Sequence, residues 1–361
     1  MGRKATHAVW QRPAGLRAAF CVALSTLLVS ACGTACAAQA LPTVAHIRTA
    51  ALLRCGIDAE EPEYSTTDDH GSRAALDADL CRGVAVAVLG ANAHVEATNF
   101  PDDTAAIAAL KSGAVDLIPT LSDDFSHTVG THLALTRPVL LDGVGFLLYG
   151  ASPAKSARGL ANKKICFLAE TGVEEIVRTW FGREHLSFVP FPFQEEGEMQ
   201  AAFTTNNCGA LAGERTRLAQ TQATLAEHGR HSRLLSEAIS RDPLAAAVRD
   251  DDQQWFAIVN WVMEALLAAE ELGITQANVQ NMATHAAQDT NPERRFLLGG
   301  SKQIGDALDL DDAWAVRVIE ATGNYGEIYE RDLGSGSAMK LPRGINKLGR
   351  DGGAMVALPF H

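Results

Sequence analysis

The sequence lacks the features of a multi-span membrane protein and of a nucleic-acid-binding protein. After one apolar run at roughly residues 18–29, no stretch reaches the twenty or so apolar residues that a transmembrane helix needs. Positive charge is in deficit, since 31 Lys and Arg against 43 Asp and Glu give a formal net charge of −12. An acidic chain of this kind argues against nucleic acid and anionic membranes as partners.

Catalytic and cofactor motifs are also missing. There is no G-x-S-x-G, no P-loop, no H-E-x-x-H and no Rossmann glycine fingerprint after the first predicted strand. The 11 histidines are scattered and form no cluster with metal-ligand spacing. Carboxylate pairs such as Asp102 and Asp103 are more typical of helix starts than of acid–base catalysis. We therefore predict a protein that is not an enzyme and that holds no cofactor or metal.

The N-terminus has the composition of a secretory signal peptide. Residues 1–40 contain four basic residues and no acidic ones, with the apolar run and then an alanine-rich stretch. Residues 38–40 (Ala-Gln-Ala) form a small-x-small cleavage site before Leu41. Residues 29–32 (Val-Ser-Ala-Cys) also resemble a lipoprotein box, which would leave a lipid anchor on Cys32. Valine weakens that match, so we predict simple cleavage and a periplasmic location.

Four of the seven cysteines lie beyond the predicted signal peptide: Cys55, Cys81, Cys166 and Cys208. An even number of widely spaced cysteines in an exported protein indicates disulfides. Four cysteines allow three pairings, and spacing alone does not choose among them. Buried free thiols are the alternative, which suits an oxidising compartment less well.

Predicted strands alternate with predicted helices in two successive stretches of similar size. The first contains a strand at residues 52–57 and a helix at 76–89 with Asp77 as its N-cap. Such alternation is typical of α/β units with parallel sheets covered by helices. Apolar segments at residues 143–149 and 243–248 are predicted to be extended crossovers between two lobes, which together would make a hinge.

The C-terminal third contains the strongest helical pattern. Residues 254–272 place Trp255, Phe256 and several aliphatic residues on one broad face, which predicts a core-facing amphipathic helix. The tail from Gly334 onward is rich in Gly, Lys and Arg, and we expect it to wrap the surface loosely.

Six short stretches of the sequence resemble those of a known protein family. They are residues 53–57 (LRCGI), 76–82 (LDADLCR), 110–116 (LKSGAVD), 252–256 (DQQWF), 269–275 (AEELGIT) and 323–331 (GNYGEIYER). They resemble the general L-amino-acid-binding proteins of polar amino-acid ABC importers, known as solute-binding protein family 3. The similarity runs from about residue 44 to the C-terminus.

The resemblance implies a two-lobed periplasmic-binding-protein fold (type II), in which each lobe is a mostly parallel sheet flanked by helices. Residues 1–40 would be the signal peptide, 41–145 the first part of lobe I, 146–242 lobe II, and 243–361 the return to lobe I with a C-terminal helical extension. It also implies the disulfides Cys55–Cys81 and Cys166–Cys208, one in each lobe.

The ligand-binding residues of the family carry over only in part. The family holds the ligand α-carboxylate with an Arg, because a guanidinium matches a carboxylate with two parallel hydrogen bonds. By alignment that position is Thr128 here, and a second family Arg falls on Thr120. The Asp that pairs with the α-ammonium becomes Glu214. Tyr64 stands where the family has an aromatic that packs on the ligand side chain.

The implied ligand-binding residues are therefore Tyr64, Ser122, Thr128, Thr171 and Glu214, with Arg137 as a candidate substitute for the missing arginines. With arginines lost and acids gained, we expect basic amino acids or amines to bind better than neutral amino acids. The predicted function is an extracytoplasmic receptor that delivers an amino acid or a related amine to an ABC permease in the inner membrane. The alternatives are a non-transporting sensor or accessory protein, and a dehydratase-like enzyme on the same fold.

Overall fold

The structure is a computed structural model that describes residues 42–58, 73–301 and 303–360. The predicted signal peptide, Cys32 and Tyr64 lie outside these residues. The first described elements alternate between helix and strand, as expected: α1 (Thr43–Ala50), β1 (Leu52–Asp58), α2 (Arg73–Leu89), β2 (His94–Phe100), α3 (Asp103–Ser112), β3 (Ile118–Ser122), α4 (Phe125–Thr128) and β4 (Leu133–Asp142).

Lobe I is built on these strands together with β10 (Asp242–Arg249). Strand β1 pairs with β2 in parallel, and a parallel bridge between Cys55 and Leu117 connects β1 to the segment that enters β3. Strand β10 lies antiparallel between β3 and β4. The carboxyl end of β3 and the amino end of β10 therefore meet at one edge, where Ser122 is paired with Leu244.

Lobe II contains the next stretch of the chain, which comprises β5 (Val144–Tyr149), a 3-10 turn (Ala157–Leu160), β6 (Lys164–Leu168), α5 (Val173–Arg183), β7 (Val189–Phe193), α6 (Glu196–Thr204), β8 (Ala210–Glu214), α7 (Arg215–Glu227) and β9 (Ser232–Leu234). Its strands form one sheet in the order β7-β6-β8-β5-β9. Strand β6 is parallel to both neighbours, whereas β5 is antiparallel to β8 and β9. Phe146, Phe167 and Phe181 are fully buried in its core.

The chain changes lobe at two neighbouring places. Residues 143–149 and 243–248 are extended, as predicted, but each belongs almost entirely to a strand of one lobe. The changes of lobe themselves occur at Gly143, between β4 and β5, and in residues 235–241, between β9 and β10. These two segments touch, because Val144 N donates to Ser240 Oγ at 2.8 Å and Ile239 N donates to Val144 O at 2.8 Å.

The C-terminal third is helical and packs on lobe I, with α8 (Gln253–Glu271), α9 (Val279–Thr284), α10 (Pro292–Leu297), α11 (Trp314–Thr322) and α12 (Tyr325–Asp332). The predicted amphipathic helix at 254–272 is confirmed as α8. Asp252 caps it by accepting from Trp255 N at 2.9 Å, and the buried Trp255 indole donates to Asp116 O at 2.9 Å. Helix α12 begins with a reciprocal capping box between Asn324 and Glu327.

The prediction that the tail from Gly334 wraps the surface loosely is wrong. Leu341, Leu348, Met355 and Phe360 are buried and belong to the main apolar core. Asn346 fastens the tail to β4, since its Oδ1 accepts from Leu141 N at 2.7 Å and its Nδ2 donates to Leu141 O at 2.9 Å. The glycine- and lysine-rich composition concealed the widely spaced apolar anchors.

The prediction that Asp77 caps the second helix is also wrong. Helix α2 includes Arg73, so Asp77 lies inside it, where its side chain is 1% exposed. It accepts a 2.6 Å hydrogen bond from Thr120 Oγ1 on β3. A carboxylate near the start of an apolar pattern resembles a cap, but here its partner comes from a distant strand.

Both implied disulfides are confirmed. Cys55 on β1 bonds Cys81 on α2, and Cys166 on β6 bonds Cys208 just before β8. The bridges close loops with sequence separations of 26 and 42 residues. A chain-entropy estimate gives about 3–4 kcal/mol of stabilisation for each, because a crosslink removes conformations from the unfolded chain.

Candidate functional site

A charged cluster lies where the ends of strands from the two lobes face each other near the crossovers. Arg73, the first described residue of α2 in lobe I, and Glu214, at the end of β8 in lobe II, form an ion pair with 3.7 Å between Nη1 and Oε2. The Arg73 side chain is 6% exposed, whereas the Glu214 side chain is 38% exposed. The pair therefore connects the two lobes, with its cation buried and its anion partly exposed.

Arg73 is held rigidly against β3. Its Nε donates to Thr120 Oγ1 at 3.2 Å and its Nη2 donates to Thr120 O at 3.1 Å. The same hydroxyl donates to Asp77, so the guanidinium, the hydroxyl and the buried carboxylate form one network. Buried charges are stable only when they are paired and hydrogen-bonded, and this network meets that requirement. The guanidinium thus lies at Thr120, the position where the resemblance had placed a family arginine.

Carboxylates line the same edge. Ser122 Oγ donates to Asp242 Oδ2 at 3.1 Å, which connects the end of β3 to the start of β10. The pKa of Asp242 is raised, chiefly by burial and also by the nearby Asp142 charge. The Ser122 hydrogen bond and the Arg73 charge act in the opposite direction and offset only part of this increase. The site therefore combines one buried cation with several acids close to it.

Asp142 at the end of β4 serves the fold of this region. Its carboxylate accepts from Arg215 N at 3.1 Å and from Thr216 Oγ1 at 2.6 Å. A carboxylate at a helix N-terminus satisfies free backbone N–H groups and the helix dipole. Because Asp142 lies on a lobe I strand and α7 belongs to lobe II, this cap also joins the lobes beside the crossovers.

Asp124 caps the short helix α4 in the same way. Its Oδ1 accepts from Ser126 N at 2.8 Å and from His127 N at 3.0 Å. Burial would raise the pKa of Asp124, but hydrogen bonds from Ser126 and His127 lower it to about 2. The adjacent Phe125 is 80% exposed. Helix α4 and its cap therefore expose an apolar and an anionic side chain, and the Asp124 charge is close enough to the cluster to raise the pKa of Asp242.

The structure places the predicted ligand-binding residues unevenly. Ser122 and Glu214 lie at the charged cluster. Thr128 ends α4, and its hydroxyl donates to Asp124 O at 2.6 Å within the same helix. Thr171 is exposed in the turn before α5, where its hydroxyl donates to Leu168 O at 2.9 Å. Arg137 pairs with Glu264 at 3.1 Å instead of substituting for the missing arginines.

Two residues of the cluster, Arg73 and Asp242, are absent from the sequence-based set of site residues. Arg73 precedes the helix predicted at residues 76–89, and its partners Thr120 and Glu214 lie far along the chain, so the sequence pattern gave no signal for it. Asp242 directly precedes an apolar strand, which is a common position for a solvated residue. Its pairing with Ser122 depends on the antiparallel register of β3 and β10, which the sequence pattern does not reveal.

Within the described ranges, no helix has the length and apolarity to span a bilayer. The same residues contain no group of three or more His, Cys, Asp or Glu side chains arranged to hold a metal ion.

Comparisons with known proteins identify the family of the chain. No protein-family model matches the chain. A putative amino-acid ABC transporter-binding protein of Escherichia coli, YhdW, is 35% identical over 325 residues, which is 90% of this chain and 94% of the relative. The general L-amino acid-binding periplasmic protein AapJ of Rhizobium johnstonii is 35% identical over 330 residues, with the same coverage of both chains. The chain belongs to the family of amino-acid ABC transporter-binding proteins.

A solved structure supports this assignment. The periplasmic ABC-transporter binding protein of Brucella ovis, determined with glutathione bound, is 31% identical, covers 89% of this chain and 99% of its own, and superposes with a TM-score of 0.74. The predicted two-lobed periplasmic-binding-protein fold is thereby confirmed. As a member of this family the chain is a solute-binding component of an ABC transporter, and its relatives are periplasmic binding proteins rather than enzymes.

Proposed function

We propose that the chain is a periplasmic receptor for a solute that carries an α-amino acid group, and that the Arg73–Glu214 pair recognises this group. The observation that carries the proposal is that the two side chains have opposite charge and come from opposite lobes, 3.7 Å apart. An α-amino acid is a zwitterion whose carboxylate and ammonium are separated by a similar distance. Its carboxylate fits Arg73, and its ammonium fits Glu214.

A solute of this kind can replace an internal ion pair with two external ones. At 3.7 Å the Arg73–Glu214 contact is longer than a charge-assisted hydrogen bond, which measures about 2.7–2.9 Å. A ligand carboxylate can form such short bonds with the guanidinium. Because the two groups belong to different lobes, a bound zwitterion also connects the lobes, which favours closure. The rest of the solute would contact Ser122, Asp242, Thr171 and, by resemblance, Tyr64. Thr128 would support the side of the binding site that these residues form.

The acids of the cleft extend the proposal to the solute side chain. Asp242, Asp124 and Glu214 favour a positive group, and of these Glu214 is the one on which the sequence-based expectation of a cationic solute depended. Arg73 supplies the carboxylate partner that the loss of arginine at positions 120 and 128 had removed. We therefore propose basic amino acids as the preferred ligands, ahead of diamines without a carboxylate. This narrows the expectation from the sequence alone, in which amines and basic amino acids were equivalent.

Glutathione is a second candidate ligand. The Brucella ovis relative was determined with glutathione bound. The γ-glutamyl end of glutathione carries a free α-ammonium and α-carboxylate, so the same Arg73–Glu214 pair would hold it.

The compartment and the domain division are part of the same proposal. We propose cleavage of the signal peptide between Ala31 and Leu41, with a lipidated Cys32 as the alternative, and delivery to a permease in the inner membrane. Residues 41–145 with 243–361 would move as lobe I, and residues 146–242 as lobe II. The contacts at Gly143 and Ser240 support a hinge there.

The proposal is tested by calorimetric titration of refolded, ligand-free protein with arginine, leucine, glutamate, putrescine and glutathione. Hydrogen bonds to charged groups contribute about 1.5–3 kcal/mol, which corresponds to about tenfold to a hundredfold in affinity. We expect Arg73→Gln to weaken arginine and leucine binding by that factor and to leave putrescine binding unchanged. Arg73→Lys keeps the charge but loses the planar pair of donors, so its affinity for arginine and leucine should lie between those of the wild type and Arg73→Gln.

Arg48→Gln is the matched control, because Arg48 forms an ion pair with Asp309 on the surface of lobe I. Circular dichroism and thermal unfolding of each variant distinguish a loss of binding from a loss of folding. Glu214→Gln, at a more exposed position, gives a second test of the ion pair. Putrescine binding as tight as arginine, or equal losses for both in Arg73→Gln, would overturn the proposal.

A further inference from the structure

A polar cavity of about 220 Å³ lies at the hinge, separate from the charged cluster. Its walls are residues 140–142 of β4, residues 215–216 of α7, residues 236–241 of the link before β10, Tyr329, and residues 341–346 of the C-terminal tail. A water molecule occupies about 30 Å³ of liquid volume, so the cavity has room for a small ion with several waters. Ser236 and Arg241 are exposed, so the cavity is accessible from solvent on their side.

The hydrogen-bond donors that line this hinge cavity are only partly used. Arg215 donates to Leu235 O at 2.7 Å and to Glu237 O at 3.2 Å, both from Nη1. Its Nε and Nη2 make no hydrogen bond with the described part of the chain. Among the same residues, Arg241 has no hydrogen bond or ion pair and the Ser236 hydroxyl has no partner. Two guanidinium groups and one hydroxyl therefore have donors available.

The carboxylate and amide side chains that line the cavity already have hydrogen-bond partners. Both oxygens of Asp142 accept from the start of α7. The Asn346 side chain is paired with the backbone of Leu141 on both sides. Burial lowers the pKa of Arg215, and the Asp142 charge only partly offsets this, so an additional anion beside Arg215 would be favourable. The unused groups of the cavity are hydrogen-bond donors, and they suit a ligand that accepts hydrogen bonds and carries negative charge.

We propose that the hinge cavity is a second binding site, for a small oxyanion such as phosphate or a short dicarboxylate, held by Arg215, Arg241 and Ser236. Guanidinium groups bind such oxygens in bidentate fashion. The chain is acidic overall, with a formal net charge of −12, so a local cluster of arginines that attracts anions is an exception within it. The site does not depend on the solute proposed above.

An oxyanion in this cavity would be coupled to the movement of the lobes. Its walls include the last residues of β4 and the link between β9 and β10, which are the two places where the chain changes lobe. Rotation of one lobe against the other changes the separation of Arg215, on α7 of lobe II, from Arg241, beside the start of β10 in lobe I, and with it the shape of the cavity. A ligand that fits one arrangement better shifts the equilibrium toward that arrangement. The cavity is therefore a site from which a small anion modulates solute affinity.

Thermal unfolding and calorimetry with inorganic phosphate test the site directly, with sodium chloride at equal ionic strength as the reference and malonate as the dicarboxylate. A ligand at ten times its Kd stabilises the folded state by about 1.4 kcal/mol, which raises the Tm of a protein of this size by about 2 °C. We expect this shift for the wild-type protein. Arg241→Gln should abolish it without changing the Tm in chloride, because Arg241 has no partner among the described residues. Arg230→Gln, at an exposed arginine outside the cavity, should keep the shift.

The coupling is tested by titrating the protein with its amino-acid ligand in phosphate and in chloride. We expect the solute Kd to differ between the two salts for the wild type and Arg230→Gln, and to be equal for Arg241→Gln. A phosphate shift no larger than that of chloride, or an undiminished shift in Arg241→Gln, would overturn the site. Phosphate binding that leaves the solute Kd unchanged would overturn the coupling.

Discussion

Arg73 is a buried cation, with a side chain that is 6% exposed. Burial of a charge is unfavourable unless the charge is paired and hydrogen-bonded. Thr120 accepts two hydrogen bonds from the guanidinium, and the Glu214 carboxylate lies 3.7 Å from it. The proposed ligand recognition therefore depends on Arg73 more than on Thr128, whose hydroxyl donates within α4.

Asp332 is the second residue whose burial has a measurable consequence. It is fully buried, and its carboxylate lies 3.5 Å from Arg331 Nε. The Arg331 guanidinium also pairs with Asp79. Burial and the nearby Asp79 carboxylate raise the pKa of Asp332 to about 8, from an ordinary value of 3.8. One arginine therefore serves two acids, and one of them keeps its proton near neutral pH.

This shift predicts a pH-dependent stability. A folded pKa above the unfolded pKa means that the folded state binds the extra proton, so the stabilisation is present below about pH 4 and is lost as pH rises toward 8, by at most about 1.4 kcal/mol per pH unit. We expect Asp332→Asn to flatten the dependence of the unfolding free energy on pH between 5 and 8, measured by urea denaturation. Asp351→Asn, at an exposed carboxylate, should leave the slope as it is. A slope unchanged in Asp332→Asn would contradict the assignment.

At the level of elements, the junction of β4 and β5 depends on Gly143. Its φ of +148° is rarely adopted by residues with a side chain, and a Cβ would lie 2.4 Å from Ser240 O. The two segments that change lobe can therefore approach closely only if this residue is glycine.

We expect Gly143→Ala to destabilise the protein by about 1–3 kcal/mol, because the clash adds to backbone strain. Gly150→Ala is the matched control, since Gly150 also has a positive φ (+59°) but no neighbouring atom within 4 Å of the point that a Cβ would occupy. Urea unfolding of both variants separates the two effects. Equal losses in the two variants would show that the close approach of Ser240 is unimportant.

Elements that depend on local pattern were predictable from the sequence, whereas elements that depend on distant partners were not. Helix α8 and the strand–helix alternation followed from periodicity. The pair Asp102 and Asp103, interpreted as typical of a helix start, does begin α3, where Asp102 accepts from Ala105 N at 2.8 Å. Asp77 was misassigned because its partner Thr120 is 43 residues away. The tail was misassigned because its anchors, such as Asn346, pair with a strand that lies 205 residues earlier.

At the level of the whole molecule, the family and the two-lobed fold followed from short sequence stretches, and the disulfides followed from the family. The binding chemistry did not. Aligned positions predicted a cleft without arginine, but the folded chain brings Arg73 to Thr120 from another element. A side chain that is lost at one position in the sequence can be regained in space from a second one, and only the structure reveals this exchange.

The central claim is that the chain carries a solute with an α-amino acid group between its lobes. Native mass spectrometry of protein purified from the periplasm without refolding tests it most directly. We expect a non-covalent adduct with the mass of a basic amino acid or glutathione, released on unfolding and absent from Arg73→Gln. An adduct without an α-amino acid group, or a wild-type protein that stays bare even after incubation with the amino acids and glutathione, would contradict it.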